Sequence, residues 1–196
     1  MDSEIYEKTK EELKILYREI YLAKSQYIIF LNLYNDLLRL NSSDKLIYTK
    51  KAVFDALEYS VFLKLSKIYD EDKTAQSITL YNILNRIQCN RELNKLNKRI
   101  IKYVEKNLEK IKEKGSKIKF FRDKNIAHLD KKYKIGLKGL HQDCPLTLDD
   151  LEELINIAYN IIKSLLKLVF SEDYGNDKDF EFIQLECEKC KNELYN

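Results

Sequence analysis

The chain has little with which to turn tightly: 196 residues include only four glycines (Gly115, Gly136, Gly139, Gly175) and one proline (Pro145). Glycine supplies backbone conformations closed to other residues and proline presets turn geometry, so a fold of many short strands would need far more of both. Long helices with few connections are the alternative, and the apolar spacing points to them. From Glu4 to about Leu40, Leu13, Leu16, Ile20, Ala23, Tyr27, Leu31, Tyr34 and Leu38 recur in steps of three and four, one stripe along a helix. The tyrosines of this stretch, Tyr17, Tyr21, Tyr27 and Tyr34, fit a partly polar core.

Asn41-Ser-Ser-Asp44 supplies capping side chains, so a second helix is expected from about Lys45 to Tyr69, burying Val53, Ala56, Leu57, Ser60, Phe62, Leu63 and Ile68. Ser77 is placed to cap a short helix carrying Ile78, Leu80, Tyr81, Leu84 and Ile87. A helix follows from Arg91 to Lys114, with Gly115 as its left-handed stop and Ser116 as the cap of a further helix or helical turn over Lys117 to about Asp130. Residues 131–145, with two glycines and the proline, read as the longest loop. Thr147-Leu-Asp-Asp150 then opens an apolar helix, Leu151 to Val169 with Leu168 included, whose broad apolar surface suggests burial from several sides. A short last helix, about 177–194, carries Phe180, Phe182, Ile183 and Leu185. The expected fold is all-α: a single up-and-down bundle with a core over about 45–170, the long helix 4–40 packed on it and the short helix at the end.

At 44% hydrophobic and 34% charged residues, the chain is too apolar for disorder and too charged for a membrane protein, and no apolar run nears the roughly 18 to 20 residues of a span. The start, Met1-Asp-Ser-Glu-Ile-Tyr-Glu, lacks the basic and apolar regions of a signal peptide, so a cytoplasmic location is expected. Cys89, Cys144, Cys187 and Cys190 are therefore expected as reduced thiols. Cys187-Glu-Lys-Cys190 has the spacing of half a zinc site, but no second pair accompanies it and His141 beside Cys144 is at best a distant ligand, so no metal and no cofactor are expected. Glycine-rich phosphate loops, paired-histidine zinc motifs and nucleophile elbows are missing from the sequence.

The distinctive chemistry lies in Phe120-Phe-Arg-Asp-Lys-Asn-Ile-Ala-His-Leu-Asp130, where Arg122 precedes His128 with five residues between them. His128 can exchange protons near neutrality, and so can act on a ribose 2′-hydroxyl or a leaving oxygen. Arg122 can hold a phosphate with two parallel bonds and stabilise its developing charge. Asn125 is placed to orient either residue or a phosphate, and Asp123 to steer Arg122. Six residues of ideal helix leave Arg122 and His128 about 120° apart, so the two need not meet within one chain. The net charge of +3 does not announce nucleic acid, but its distribution is suggestive. Lysines and Arg99 crowd the stretch 95–119, and Lys119, Lys124, Lys131, Lys132 and Lys134 surround the motif, where they can form a rim that attracts RNA. Tyr103 or Tyr133 can stack bases there, although a solvated helix face would look the same.

The string resembles the signature of HEPN proteins, helical bundles marked by an Arg and a His with four to six residues between them, often with a polar residue directly after the Arg, the slot that Asp123 fills. The aromatic before Arg122 and Ala127-His-Leu-Asp130 are similar to the abortive-phage-infection branch of the AbiU type. Leu65-Ser-Lys-Ile-Tyr-Asp70 and Ser77-Ile-Thr-Leu80 look like that branch's second and third helices, so the resemblance covers roughly residues 50–170. It implies a homodimer that joins two copies of the motif in one groove and cleaves RNA without metal, in phage defence or a toxin system with a possible antitoxin or defence partner. Two other readings stand beside it: a non-catalytic HEPN-like module that binds RNA, a nucleotide or a protein, and a helical interaction protein that uses the long first helix and helix 151–170 as an oligomer surface.

Overall fold

The computed structural model describes residues 3–38, 47–71, 77–90, 93–94, 98–127, 145–172 and 178–194, and among them only helices and their connections occur. In chain order these are α1 (Ser3–Leu37), α2 (Ile47–Ile68), α3 (Leu80–Cys89), α4 (Lys98–Phe121), a π-helical turn (Arg122–Ala127), α5 (Leu148–Phe170) and α6 (Lys178–Leu194). The fold is the all-α bundle expected, with a long first helix. Asn41–Asp44 and the loop 131–144 lie outside the described residues.

The α1 stripe is buried from Leu13 through Leu16, Ile20, Ala23 and Tyr27 to Phe30, and it packs on α2, α5 and α6. Leu38, expected to continue the stripe, is 68% exposed because the helix ends one residue before it. In α2 the buried side runs through Glu58, Val61, Phe62, Leu65, Ser66 and Ile68, whereas Val53 and Ala56 face solvent. Phe54 packs there instead, on Phe30, with ring centroids 4.6 Å apart, so this part of α2 is turned by about one residue from the expected register.

The start of α5 matches its sequence signal: Thr147 accepts from the Asp150 amide and Asp150 accepts from the Thr147 amide, a reciprocal capping box. Ten α5 side chains from Leu151 to Phe170 are buried, among α1, α2 and α4, while Leu168 is 62% exposed on the one side left to solvent. Two tyrosines tie other helices to the α5 backbone, Tyr27 donating to the Leu148 carbonyl at 2.7 Å and buried Tyr69 to the Leu154 carbonyl at 2.6 Å. Since α1 and α5 spend their apolar faces on each other, those faces do not form the free oligomer surface of the interaction-protein reading. In α6, Phe180 is buried against Tyr21 and Tyr159, but Phe182 and Leu185 are exposed.

Two boundaries differ from the sequence expectation. Thr79, not Ser77, caps α3 by accepting from the Asn82 amide, while Ser77 accepts from the Asn82 side chain. Gly115 does not stop a helix: α4 runs through it to Phe121. There Gly115 is buried against Tyr69, whose Cβ would lie 3.5 Å from an added methyl. Consequently Ser116 caps nothing and bonds to the Lys112 carbonyl within the same helix.

Candidate functional site

Where α4 ends, the backbone changes from α to a π turn at Arg122–Ala127, a geometry in which each amide reaches five residues back and which recurs at functional sites. The α-helical winding assumed after Arg122 is therefore replaced by a wider one over Arg122–Ala127. Phe121, the last α4 residue, is fully buried and stacks on Phe62 of α2, with ring centroids 4.0 Å apart and planes 24° from parallel. This stack fixes the end of α4 against α2, and the next side chain, Arg122, is delivered to the C-terminal end of α2.

There it meets Asp70. Arg122 Nη1 donates to Asp70 Oδ2 at 2.9 Å, and Arg122 Nε donates to Asp123 Oδ1 at 2.8 Å. Lys119, one turn earlier on α4, donates to the other oxygen, Asp70 Oδ1, at 2.9 Å. Four charges thus alternate in sign, Lys119, Asp70, Arg122 and Asp123. Burial on its own would raise the Asp70 pKa, but the bonds from Arg122 and Lys119 outweigh it and hold the carboxyl below its usual value. Burial likewise works against the Arg122 cation and is outweighed by Asp70 and Asp123, so the guanidinium stays charged.

Arg122 keeps 21% of its side chain exposed and opens onto a groove of about 330 Å³ between α1, α2 and the lead into α3. Ile15 and Leu16 of α1, Lys67 of α2, Asp70 just beyond it, and Ile78 wall it. The groove therefore combines an apolar side with a compensated arginine, a place where an anionic group can exchange with a carboxylate for the guanidinium. Among the described residues no group of His, Cys, Asp and Glu is arranged to hold a metal ion, and no helix is long and apolar enough to cross a membrane.

Of the residues singled out from sequence, Arg122, Asp123 and Lys119 come together here and Lys124 follows, partly buried, in the π turn. Asn125 lies in that turn, with its side chain outside the described residues. His128, Lys131 and Lys132 lie outside the described residues altogether, as do His141, Cys144, Tyr133 and Lys134. Cys187 is partly buried on α6, and the Cys190 side chain is not among those described. Sequence reasoning passed over Asp70 as a site residue. It sits 52 positions from Arg122, at the head of a run of acids, and only its place at the end of the Leu65–Asp70 segment marked it.

A family model described as AbiU2, of the HEPN type, matches residues 6–182, which takes in α1 and the start of α6 beyond the 50–170 stretch that carried the resemblance. No curated protein and no solved structure matches the chain.

Proposed function

Since the chain belongs to the HEPN-type AbiU2 family, we propose that it is an endoribonuclease of phage defence or a toxin system, acting on RNA through Arg122 and His128 of a homodimer. The single observation that carries this reading is the placement of Arg122, a charged guanidinium held at the edge of a groove at the start of a π turn. In the proposed reaction the scissile phosphate takes the place of one carboxylate on Arg122, which then stabilises the charge that grows on the phosphoryl oxygens. His128 takes the proton from the ribose 2′-hydroxyl or returns one to the 5′-oxygen that leaves, and the product is a 2′,3′-cyclic phosphate. The arginine and the imidazole that act on one linkage come from the two chains of the dimer, so each motif completes the other's site. Asp70 and Asp123 act as positioning residues for Arg122. Asn125 orients the phosphate or a neighbour, and Lys119, Lys124, Lys131 and Lys132 attract the RNA backbone.

The test is incubation of single-stranded RNA with the protein in the presence of a chelator, with the product ends identified by mass. The expected outcome is 2′,3′-cyclic phosphate ends and a loss of about 10² to 10⁴ in rate for His128→Ala. Unchanged cleavage by His128→Ala would remove the mechanism.

One observation favours a second reading, a non-catalytic module that binds RNA, a nucleotide or a protein. Arg122 already spends its Nε and both terminal nitrogens on Asp70 and Asp123. A purely structural arginine would do the same. Binding without turnover, unaffected by Arg122→Ala, would support that reading.

A further inference from the structure

Acids of the bundle pair with most of the lysines in the second half of α4, Lys112 excepted, and with none of the described cations of the first half. Between Lys110 and Lys119, Lys110 and Lys114 are bonded to Glu153, Lys114 also to Asp150 at 2.6 Å, Lys117 to Glu113 at 2.8 Å and Lys119 to Asp70 at 2.9 Å. The first half of the helix differs. Lys98, Arg99, Lys102 and Lys106 are all exposed, and among the described residues none of them has an ion-pair partner. Of the two acids of that half, Glu105 is turned toward α3, where it accepts from Gln88 at 2.6 Å, and Glu109 is exposed.

Within this cationic stretch stands Tyr103, 42% exposed. Arg99 lies one turn before it and Lys106 one turn after, so two cations share its side of the helix, with Lys102 on the adjoining side. Unpaired cations around a reachable aromatic ring are the combination that single-stranded nucleic acid selects, phosphates meeting the charges and a base stacking on the ring. An acidic protein segment would use the charges but gain little from an exposed ring.

We infer that Arg99, Lys102, Tyr103 and Lys106 form a second RNA contact, a docking patch for unpaired strand remote from the Arg122 groove. The inference rests on the ribonuclease reading for its ligand and adds a requirement on substrate length. Tyr103 and the end of α4 are separated by about 27 Å along the axis at 1.5 Å per residue. A stacked strand rising about 3.4 Å per nucleotide needs roughly eight nucleotides to reach from one to the other. Short RNA occupies the groove alone, and longer RNA gains the patch.

The experiment measures binding of unstructured 5- and 20-nucleotide RNAs by fluorescence anisotropy between 50 and 300 mM salt, and cleavage of both. The proteins are the wild type, an Arg99→Gln/Lys102→Gln/Lys106→Gln triple variant, Tyr103→Ala, and Lys8→Gln as an exposed lysine elsewhere. The triple variant is expected to lose at least about tenfold in affinity for the 20-mer. Its slope of log affinity against log salt should flatten by about 2, at roughly 0.7 per phosphate contact over three contacts. Tyr103→Ala should weaken the 20-mer without changing that slope, and neither variant should alter cleavage of the 5-mer.

Wild-type binding and cleavage that the triple variant leaves untouched would overturn the patch and spare the ribonuclease reading. A wild type that neither binds nor cuts RNA would overturn both. Equal affinity for a 20-residue polyglutamate, with Tyr103→Ala silent, would assign the patch to an acidic protein partner instead.

Discussion

Arg122 occupies an unusual position for a residue proposed to receive phosphate, because two carboxylates already hold it. Asp70 is the more informative of them, since it also holds Lys119 and so compensates two cations at once. Asp70→Asn is expected to bind RNA more tightly, as both cations lose their internal counterion, and yet to cleave it more slowly, as the guanidinium loses its fixed direction. Affinity and single-turnover rate measured on one preparation check this opposition; a change of both in the same direction would mean that Asp70 serves only structure.

Glu58 is the other residue whose environment makes a measurable demand. It is buried on α2 with Oε2 lacking a hydrogen bond, and burial, helped by the nearby Asp55 charge, raises its pKa to about 7. The folded state therefore holds a proton that the unfolded chain releases near pH 4.5. Stability on this account is full below that pH, falls as pH rises toward about 7, and levels off above it. Glu58→Gln cannot ionise, so its Tm should gain on the wild type more at pH 8 than at pH 4. A gain that is equal at both pH values would contradict the assignment.

At the scale of the elements, two backbone positions carry the residue that would suit the other. Gly115 sits within α4, where its methyl-free Cα is not required, since an added Cβ would make only ordinary contact with Tyr69. Ser171 ends α5 in the left-handed region at φ 54°, where a glycine is favoured, and the Glu172 amide closes the end on the Leu166 carbonyl at 3.0 Å. Gly115→Ala is expected to stabilise the protein by about 0.5 to 1 kcal/mol, and Ser171→Gly to stabilise it by a similar amount, as read by chemical denaturation. Destabilisation by Gly115→Ala would show that the Tyr69 contact is tighter than its geometry implies.

These positions also explain what could be foreseen. Helix existence was legible because a stripe such as Leu13 to Tyr27 has only one physical use, and the Thr147–Asp150 box because its partners lie three residues apart. Gly115 misled because a glycine at a helix end and one inside a helix look alike until its neighbour is known. The α2 register depended on Phe54 finding Phe30, and the Arg122 network on Asp70 far away in the chain; neither pairing leaves a local signature. The π turn was likewise invisible, since its six residues carry no marker distinguishing it from α-helix.

At the scale of the whole molecule, charge is sorted more sharply than a net value of +3 conveys. The second half of α4 is tied to α5 and α2 through Glu153, Asp150 and Asp70, which leaves its first half as the exposed cationic surface. The family match spans nearly all of this bundle, so α1 and the start of α6 belong to the same unit of descent as the motif. The proposed chemistry asks more than one bundle offers: the arginine and the imidazole that meet at one linkage come from two chains. The most direct measurement mixes Arg122→Ala and His128→Ala proteins, each inactive alone, after brief unfolding and refolding together, and follows cleavage of a 20-nucleotide RNA. Random pairing makes half the dimers mixed, with one of two composite sites intact. The account predicts recovery of about a quarter of wild-type activity, whereas a mixture that stays as inactive as its parts, though dimeric and folded, would contradict a site shared between subunits.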